Sequence, residues 1–195
     1  MSNKAELRKS ILDATIIAFN KKGLKLTMDD LASSLSISKK TIYTVFENKD
    51  SLLLGMVDYV FDSIKESEQK IADDVSMTTL EKIYAILGVL PDGYKEIDLR
   101  QLYCLKEKYP HIYQQVEKRL ETGWEQTILL LKKGMYEGVI RKIKIPIFKM
   151  MMEAALEQFF QRDILVSQNI SYADALAEVV EILINGIVLD DEQKG

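Results

Sequence analysis

Residues 27–46 read TMDDLASSLSISKKTIYTVF, and this stretch encodes two short helices joined by a tight turn. Thr27 stands at a helix start, and Asp30, three residues on, completes an acidic capping box and favours the positive end of the helix dipole. Leu31, Ala32 and Leu35 then form one apolar face. Ser36-Ile37-Ser38 interrupts the pattern, and Ser38 caps a second helix predicted from Lys39 to Phe46. At about 100° per residue, Ile42, Val45 and Phe46 share the inward face of that second helix. Lys40 and Thr44 project from the opposite side, Thr41 and Tyr43 lie on the flanks, and Ser38 and Lys39 stand at the N-terminal end. An outward face of lysines, threonines and a tyrosine is equipped to hydrogen-bond phosphates and base edges in a major groove. The same pattern alone also describes an ordinary solvated helix.

The flanks decide between the two. Upstream, Ile11, Leu12, Ala14, Thr15 and Phe19 followed by Lys21-Lys22-Gly23 read as an amphipathic helix stopped by glycine. Downstream, Phe46-Glu47-Asn48-Lys49-Asp50-Ser51-Leu52-Leu53 places Asn48 as the cap of a further helix. Residues 8–57 together resemble the DNA-binding domain of the TetR family of bacterial transcriptional regulators. The resemblance rests on an ordered series: the Phe-x-x-x-Gly ending of the first helix, the Thr-capped second helix, the Ser-Lys-x-Thr-Ile-Tyr segment, and the Phe-x-Asn-Lys-Asp-x-Leu-Leu entry to the fourth. Three positions depart from the family's usual pattern. Ser36 stands in the turn where glycine is common, Lys40 where the recognition helix often has glycine, and Val45 where histidine is frequent.

The resemblance implies a homodimer bound to a palindromic operator in double-stranded DNA. Lys39, Lys40, Thr41 and Thr44 would reach the groove from the helix that Ser38 caps, while Thr27, Tyr43 and Lys49 would hold phosphates. It further implies a ligand-responsive repressor, released by a small, largely apolar effector. The alternative is a protein of the same fold that works through protein contacts without reading DNA.

Composition fits a regulator. Hydrophobic residues make up 47% and charged residues 29% of the 195, ordinary values for a globular protein. Residues 1–50 hold nine Lys/Arg against six Asp/Glu, a net charge of +3, which leaves −7 for the rest of a chain whose total is −4. Only the front of the chain is electrostatically suited to DNA. Cys104 is the single cysteine and His111 the single histidine, so neither a disulfide nor a His/Cys metal cluster is expected, and no cofactor is implied. No Ser/His/Asp set and no phosphate-cradling glycine loop points to an enzyme. The polar N-terminus and the lack of an apolar run near the roughly 18 residues of a membrane span point away from secretion and membranes, and towards the cytoplasm.

Past residue 50 the periodicity stays helical, so the chain is expected to be all-α with about nine helices. A helix-turn-helix domain is expected over 1–48, followed by a helical ligand-binding and dimerisation domain over 49–195. Helices are predicted from Lys49 to Asp73, Thr78 to Leu90 with a stop at Pro91-Asp92-Gly93, and Ile97 to Lys108. A long one is predicted from Pro110 to Tyr136, then two more from Ile145 to Val166 and Ser171 to Leu189, ahead of a frayed acidic end. The last two are apolar over more than one stripe. Phe148, Met152, Leu156 and Phe159 on one, with Val180, Leu183, Ile184 and Ile187 on the other, therefore suit either a central core or the four-helix dimer interface that TetR-like proteins build there. Tyr84, Tyr103, Cys104, Trp124 and Tyr136 fall in the segment that surrounds the effector pocket in such proteins, although aromatic residues at helical spacing are routine core residues too.

Overall fold

The computed structural model describes residues 2–91, 100–161 and 164–189. Among them, nine helices of five residues or more are joined by three four-residue segments, and the one extended pairing is an isolated bridge between Ile140 and Val188. In chain order they are α1 (Ser2–Lys22), α2 (Met28–Leu35), α3 (Lys39–Tyr43), α4 (Lys49–Asp73), α5 (Thr79–Leu87), α6 (Arg100–Tyr103), α7 (Leu105–Lys108), α8 (Pro110–Glu121), α9 (Glu125–Glu137), α10 (Ile145–Gln161), α11 (Ile164–Ser167) and α12 (Tyr172–Asn185). The all-α expectation therefore holds.

Contacts divide the chain into two units: Met1–Asp62 with Asp98–Arg119, and Ser63–Ile97 with Leu120–Gly195. In the first, α1 buries Ile11, Leu12, Ile16 and Phe19 beside Met28 and Leu31 of α2, Ile42 of α3, Phe46, and Leu52, Leu53, Met56 and Val57 of α4. Leu105, Ile112, Tyr113 and Val116 from α7 and α8 are buried in the same unit. In the second, Ile83, Ile86 and Leu87 of α5 form a core with Leu130 and Leu131 of α9, Phe148 and Met152 of α10, and Leu176, Val180 and Ile184 of α12. Each such side chain contributes about 1.5–3 kcal/mol by leaving water, which is why these spaced apolar positions fix the helix faces.

Local capping explains the helix starts. Thr27 Oγ1 accepts from the Asp30 N–H at 3.2 Å while Asp30 Oδ2 accepts from the Thr27 N–H at 2.9 Å. Thr78 and Glu81 repeat this box at α5, and Ser171 caps α12 by accepting from the Asp174 N–H. Asn48 Oδ1 accepts from the Ser51 N–H at 2.8 Å, opening α4. Between α2 and α3 the chain turns on Ser36, whose φ of 53° and ψ of 38° are left-handed. A left-handed residue with a Cβ costs about 1–2 kcal/mol, part of which glycine would return as chain entropy. Ser36→Gly is therefore expected to stabilise the protein by about 0.5–1 kcal/mol, seen as a higher urea midpoint with an unchanged slope.

Four expected boundaries are corrected. α3 ends at Tyr43, because the chain tightens through Thr44 and Val45, although Phe46 still points inward at 2% exposure. α5 stops at Gly88, short of Leu90, and the expected Asp92-Gly93 stop and Ile97 start lie outside the described residues. The helix expected from Pro110 to Tyr136 is two helices. Gly123 takes φ +80° between them, open to glycine but strained for other residues, and the Lys65 ammonium donates to its carbonyl. Finally, α12 ends at Asn185, after which Ile187 accepts from the Arg141 N–H at 2.7 Å in the bridge region. The acidic end from residue 190 lies outside the described residues.

Candidate nucleic-acid interface

α3 is a short helix held at both ends by its own polar side chains. Ser38 Oγ accepts from the Thr41 N–H at 3.1 Å and shares a hydrogen bond with the Thr41 hydroxyl at 2.9 Å. The Thr44 hydroxyl donates to the Thr41 carbonyl at 2.6 Å. Ile42 is wholly buried beneath, so the helix cannot roll without exposing it. Tyr43 is 49% exposed, and Lys40 and Thr44 are exposed beside it. Lys40 carries no ion pair among the described residues, whereas Lys39 is paired with Asp29 of α2 at 2.7 Å.

The remaining expected phosphate holders sit at the edges. Thr27 is exposed, and its hydroxyl oxygen accepts the cap hydrogen bond of α2. Its partner Asp30 also accepts from Lys22 at 2.6 Å, and that ammonium, with the Thr27 hydrogen bonds, holds the Asp30 carboxyl below its usual range. Lys49 is turned to the protein: its ammonium donates to the Leu24 carbonyl at 2.6 Å, and burial, then Lys108, lower its pKa. One of its three donors is thus committed before any phosphate arrives.

Two supporting residues escape a reading of the sequence. Arg8 lays its guanidinium over the Phe46 ring, 4.5 Å from the centroid, and so clamps a residue just beyond the end of α3. Asp29, which looks like an ordinary helix-start acid, is the partner of Lys39. Neither pairing has a local sequence signature, because both join residues from different elements.

The family model described as bacterial regulatory proteins, tetR family, matches residues 11–56, which run from the buried face of α1 to Met56 of α4 and enclose the whole helix-turn-helix. The chain is similar to the TetR family, through this domain and in its overall fold. An HTH-type transcriptional regulator of Bacillus subtilis (strain 168), YvaF, is 28% identical over 184 residues, covering 94% of this chain and 97% of that protein. A TetR-family regulator from Cytophaga hutchinsonii shares the fold with a TM-score of 0.74 and 21% identity, over 98% of this chain and 99% of its own. SmeT, the repressor of the Stenotrophomonas maltophilia multidrug efflux pump SmeDEF, shares it with a TM-score of 0.63 and 16% identity, over 94% and 91%. The chain thus shares the fold of DNA-binding transcriptional regulators, and the relatives it matches are regulators of that kind. No helix among the described residues is long and apolar enough to cross a membrane.

The expected effector residues are divided between the two units. Tyr103 and Cys104 belong to one unit, and Tyr84, Trp124 and Tyr136 to the other. Tyr84 and Trp124 pack against the core of their unit, Tyr84 donating to Asn185 Oδ1 at 2.6 Å and the Trp124 indole N–H to the Leu120 carbonyl at 3.0 Å. Tyr136 is 92% exposed on α9, and Cys104 is exposed. Tyr103 meets Tyr113 edge to face at 5.8 Å.

The expected interface residues differ in burial within the chain. Phe148, Met152, Val180, Ile184 and Ile187 are buried in their own protomer's core, and Leu156, Phe159 and Leu183 are half-buried. The apolar side chains that α10 and α12 leave exposed are Ile147, Met150, Met151 and Ile182.

Proposed function

We propose that this protein is a ligand-responsive transcriptional repressor whose homodimer binds a palindromic operator and is released by a small, largely apolar effector. The observation that supports DNA reading is the outer face of α3, where Lys40 and Tyr43 stand exposed on a helix whose caps and buried Ile42 fix its orientation. In this reading residues 1–48 read DNA, with Ser38, Lys39, Lys40, Thr41 and Thr44 at the groove and Thr27, Tyr43 and Lys49 along the phosphates. Residues 49–195 sense the effector and dimerise. The fold likeness to SmeT, named as a repressor, supports repression over activation. The front-loaded positive charge supports a DNA partner, and the reducing cytoplasm suits a chain with one exposed thiol.

Dimerisation joins α10 and α12 of two protomers, and the exposed Ile147, Met150, Met151 and Ile182 supply apolar area for it. Met151→Glu places a charge in that contact and is expected to shift the protein from dimer to monomer in sedimentation, while its helical circular dichroism stays. An unchanged dimer would move the interface to another face. The two-fold places two copies of α3 about 34 to 36 Å apart, so each reads one half-site. An effector that couples to this spacing by about 1–3 kcal/mol changes operator affinity by about 5- to 150-fold.

Selection of bound fragments from the source genome tests the reading. The expected product is one enriched palindromic motif with half-sites a helical turn apart, bound less tightly as salt rises. No enrichment, or an interaction indifferent to salt, would favour a TetR-fold protein acting through protein contacts.

A further inference from the structure

The two lysines at the start of α3 are treated differently by the fold. Lys40 is unpaired among the described residues, whereas Lys39 Nζ lies 2.7 Å from Asp29 Oδ2, with the lysine side chain 46% and the aspartate 70% exposed. Asp29 is not needed to cap α2. Both carboxylate oxygens of the capping box belong to Asp30, which accepts from the Thr27 N–H and from Lys22. Asp29 instead reaches from α2 to the recognition helix, and its side chain is open to the same solvent that a DNA backbone would displace.

We propose that Asp29 restrains DNA affinity by holding Lys39 in an ion pair that must break, or be shared, when Lys39 meets a phosphate. This rests on the reading of α3 as the DNA-contacting helix. Two physical effects act together. The carboxylate neutralises one of the few cations at the front of a chain whose first 50 residues carry a net charge of only +3, and it presents a negative charge beside an incoming polyanion. The raised pKa of Lys39, caused first by its hydrogen bond to Asp29, agrees with an ammonium already satisfied. A paired lysine releases fewer DNA counterions on binding than a free one, so the salt dependence of binding reports the pair directly. The consequence is a regulator tuned below its available affinity, with Asp29 setting how much of Lys39 the DNA receives.

The test is a double-mutant cycle on the full-length protein: wild type, Asp29→Asn, Lys39→Ala and the double variant, titrated against a labelled mixed-sequence DNA duplex across a salt series. Asp29→Ser, which keeps a helix-start residue, runs beside Asp29→Asn in case the amide disturbs α2. An exposed pair of this kind makes the expected gain about 2- to 5-fold per protomer at low salt, with a steeper salt slope by about 0.9 per released lysine contact. In the Lys39→Ala background the same change should lose most of that gain. Equal or weaker binding by Asp29→Asn and Asp29→Ser overturns the proposal, the weaker case making Asp29 a group that aims Lys39 at the DNA. A gain that persists undiminished without Lys39 also overturns it, since Asp29 then acts as a bare charge. Wild type that binds the duplex at no salt concentration overturns the DNA reading itself and the restraint with it.

Discussion

If α3 reads DNA as proposed, Lys40→Ala is expected to lower the affinity of the proposed dimer for its operator by about 10- to 1000-fold and to reduce the salt slope by about 2, one phosphate contact being lost from each protomer. The size of the effect follows from what the fold leaves available. Lys39 is paired with Asp29, and Lys49 has given a donor to the Leu24 carbonyl. Lys40 is the exposed α3 cation without an ion pair among the described residues, so its full charge stands open for the proposed contact. Thr41 and Thr44 are engaged within α3, which leaves the Tyr43 hydroxyl as the next donor, and Tyr43→Phe is expected to weaken binding by a smaller factor. Gel shift against the selected operator and against scrambled duplex separates two cases. A uniform loss on both assigns Lys40 to a phosphate, and a loss confined to the operator assigns it to a base edge. Operator binding unchanged in both variants would remove α3 from the interface, while the sedimentation behaviour of the dimer stays the same throughout.

The lysines also show where the sequence could be read and where it could not. The Thr27–Asp30 box, the Ser38 cap and the Asn48 start of α4 involve partners three residues apart, so composition and spacing are sufficient to place them. The left-handed turn at Ser36 is equally local, visible because a glycine would normally stand there. Lys39 and Lys49 look identical to Lys40 in the sequence, but their partners come from α2 and from a single 3-10 turn 25 residues upstream. The break at Gly123 has the same character: the ammonium that claims its carbonyl is 58 residues away on α4. Apolar periodicity has a related blind spot. It shows that α10 and α12 are apolar on more than one stripe, yet only packing shows that Phe148 and Ile184 face their own core while Met151 and Ile182 face outward. Sequence therefore gives the helices and their caps, and tertiary partners decide which side chains remain free to act.

Phe46→Ala is expected to cost about 3–5 kcal/mol of stability, the largest single effect of any substitution considered, and to abolish DNA binding without touching a DNA-facing residue. The ring is 2% exposed, lies three residues past the end of α3, and is boxed in from two sides. Arg8 stacks over one face at 4.5 Å from the centroid, and the backbone of Gly55 approaches so closely that a Cβ there would lie 2.9 Å from the ring edge. Truncation leaves a cavity lined by α1 and α4 that neither helix can fill, because Leu12, Leu52 and Leu53 already occupy their own sites at or near full burial. Against a total stability of about 5–15 kcal/mol for a typical domain, the loss is enough to unfold a measurable fraction at ambient temperature. Phe46→Leu keeps most of the volume and should cost far less, about 1–1.5 kcal/mol, while retaining operator binding. Gly55→Ala approaches the same box from the other side, and overpacking predicts a loss of about 1–3 kcal/mol, since both Phe46 and Arg8 must shift. Urea denaturation of the three variants provides the ordering. If Phe46→Ala proved no more damaging than Phe46→Leu, the ring would not be the anchor of α3, and the orientation of Lys40 and Tyr43 would have to be secured by Ile42 and the helix caps alone.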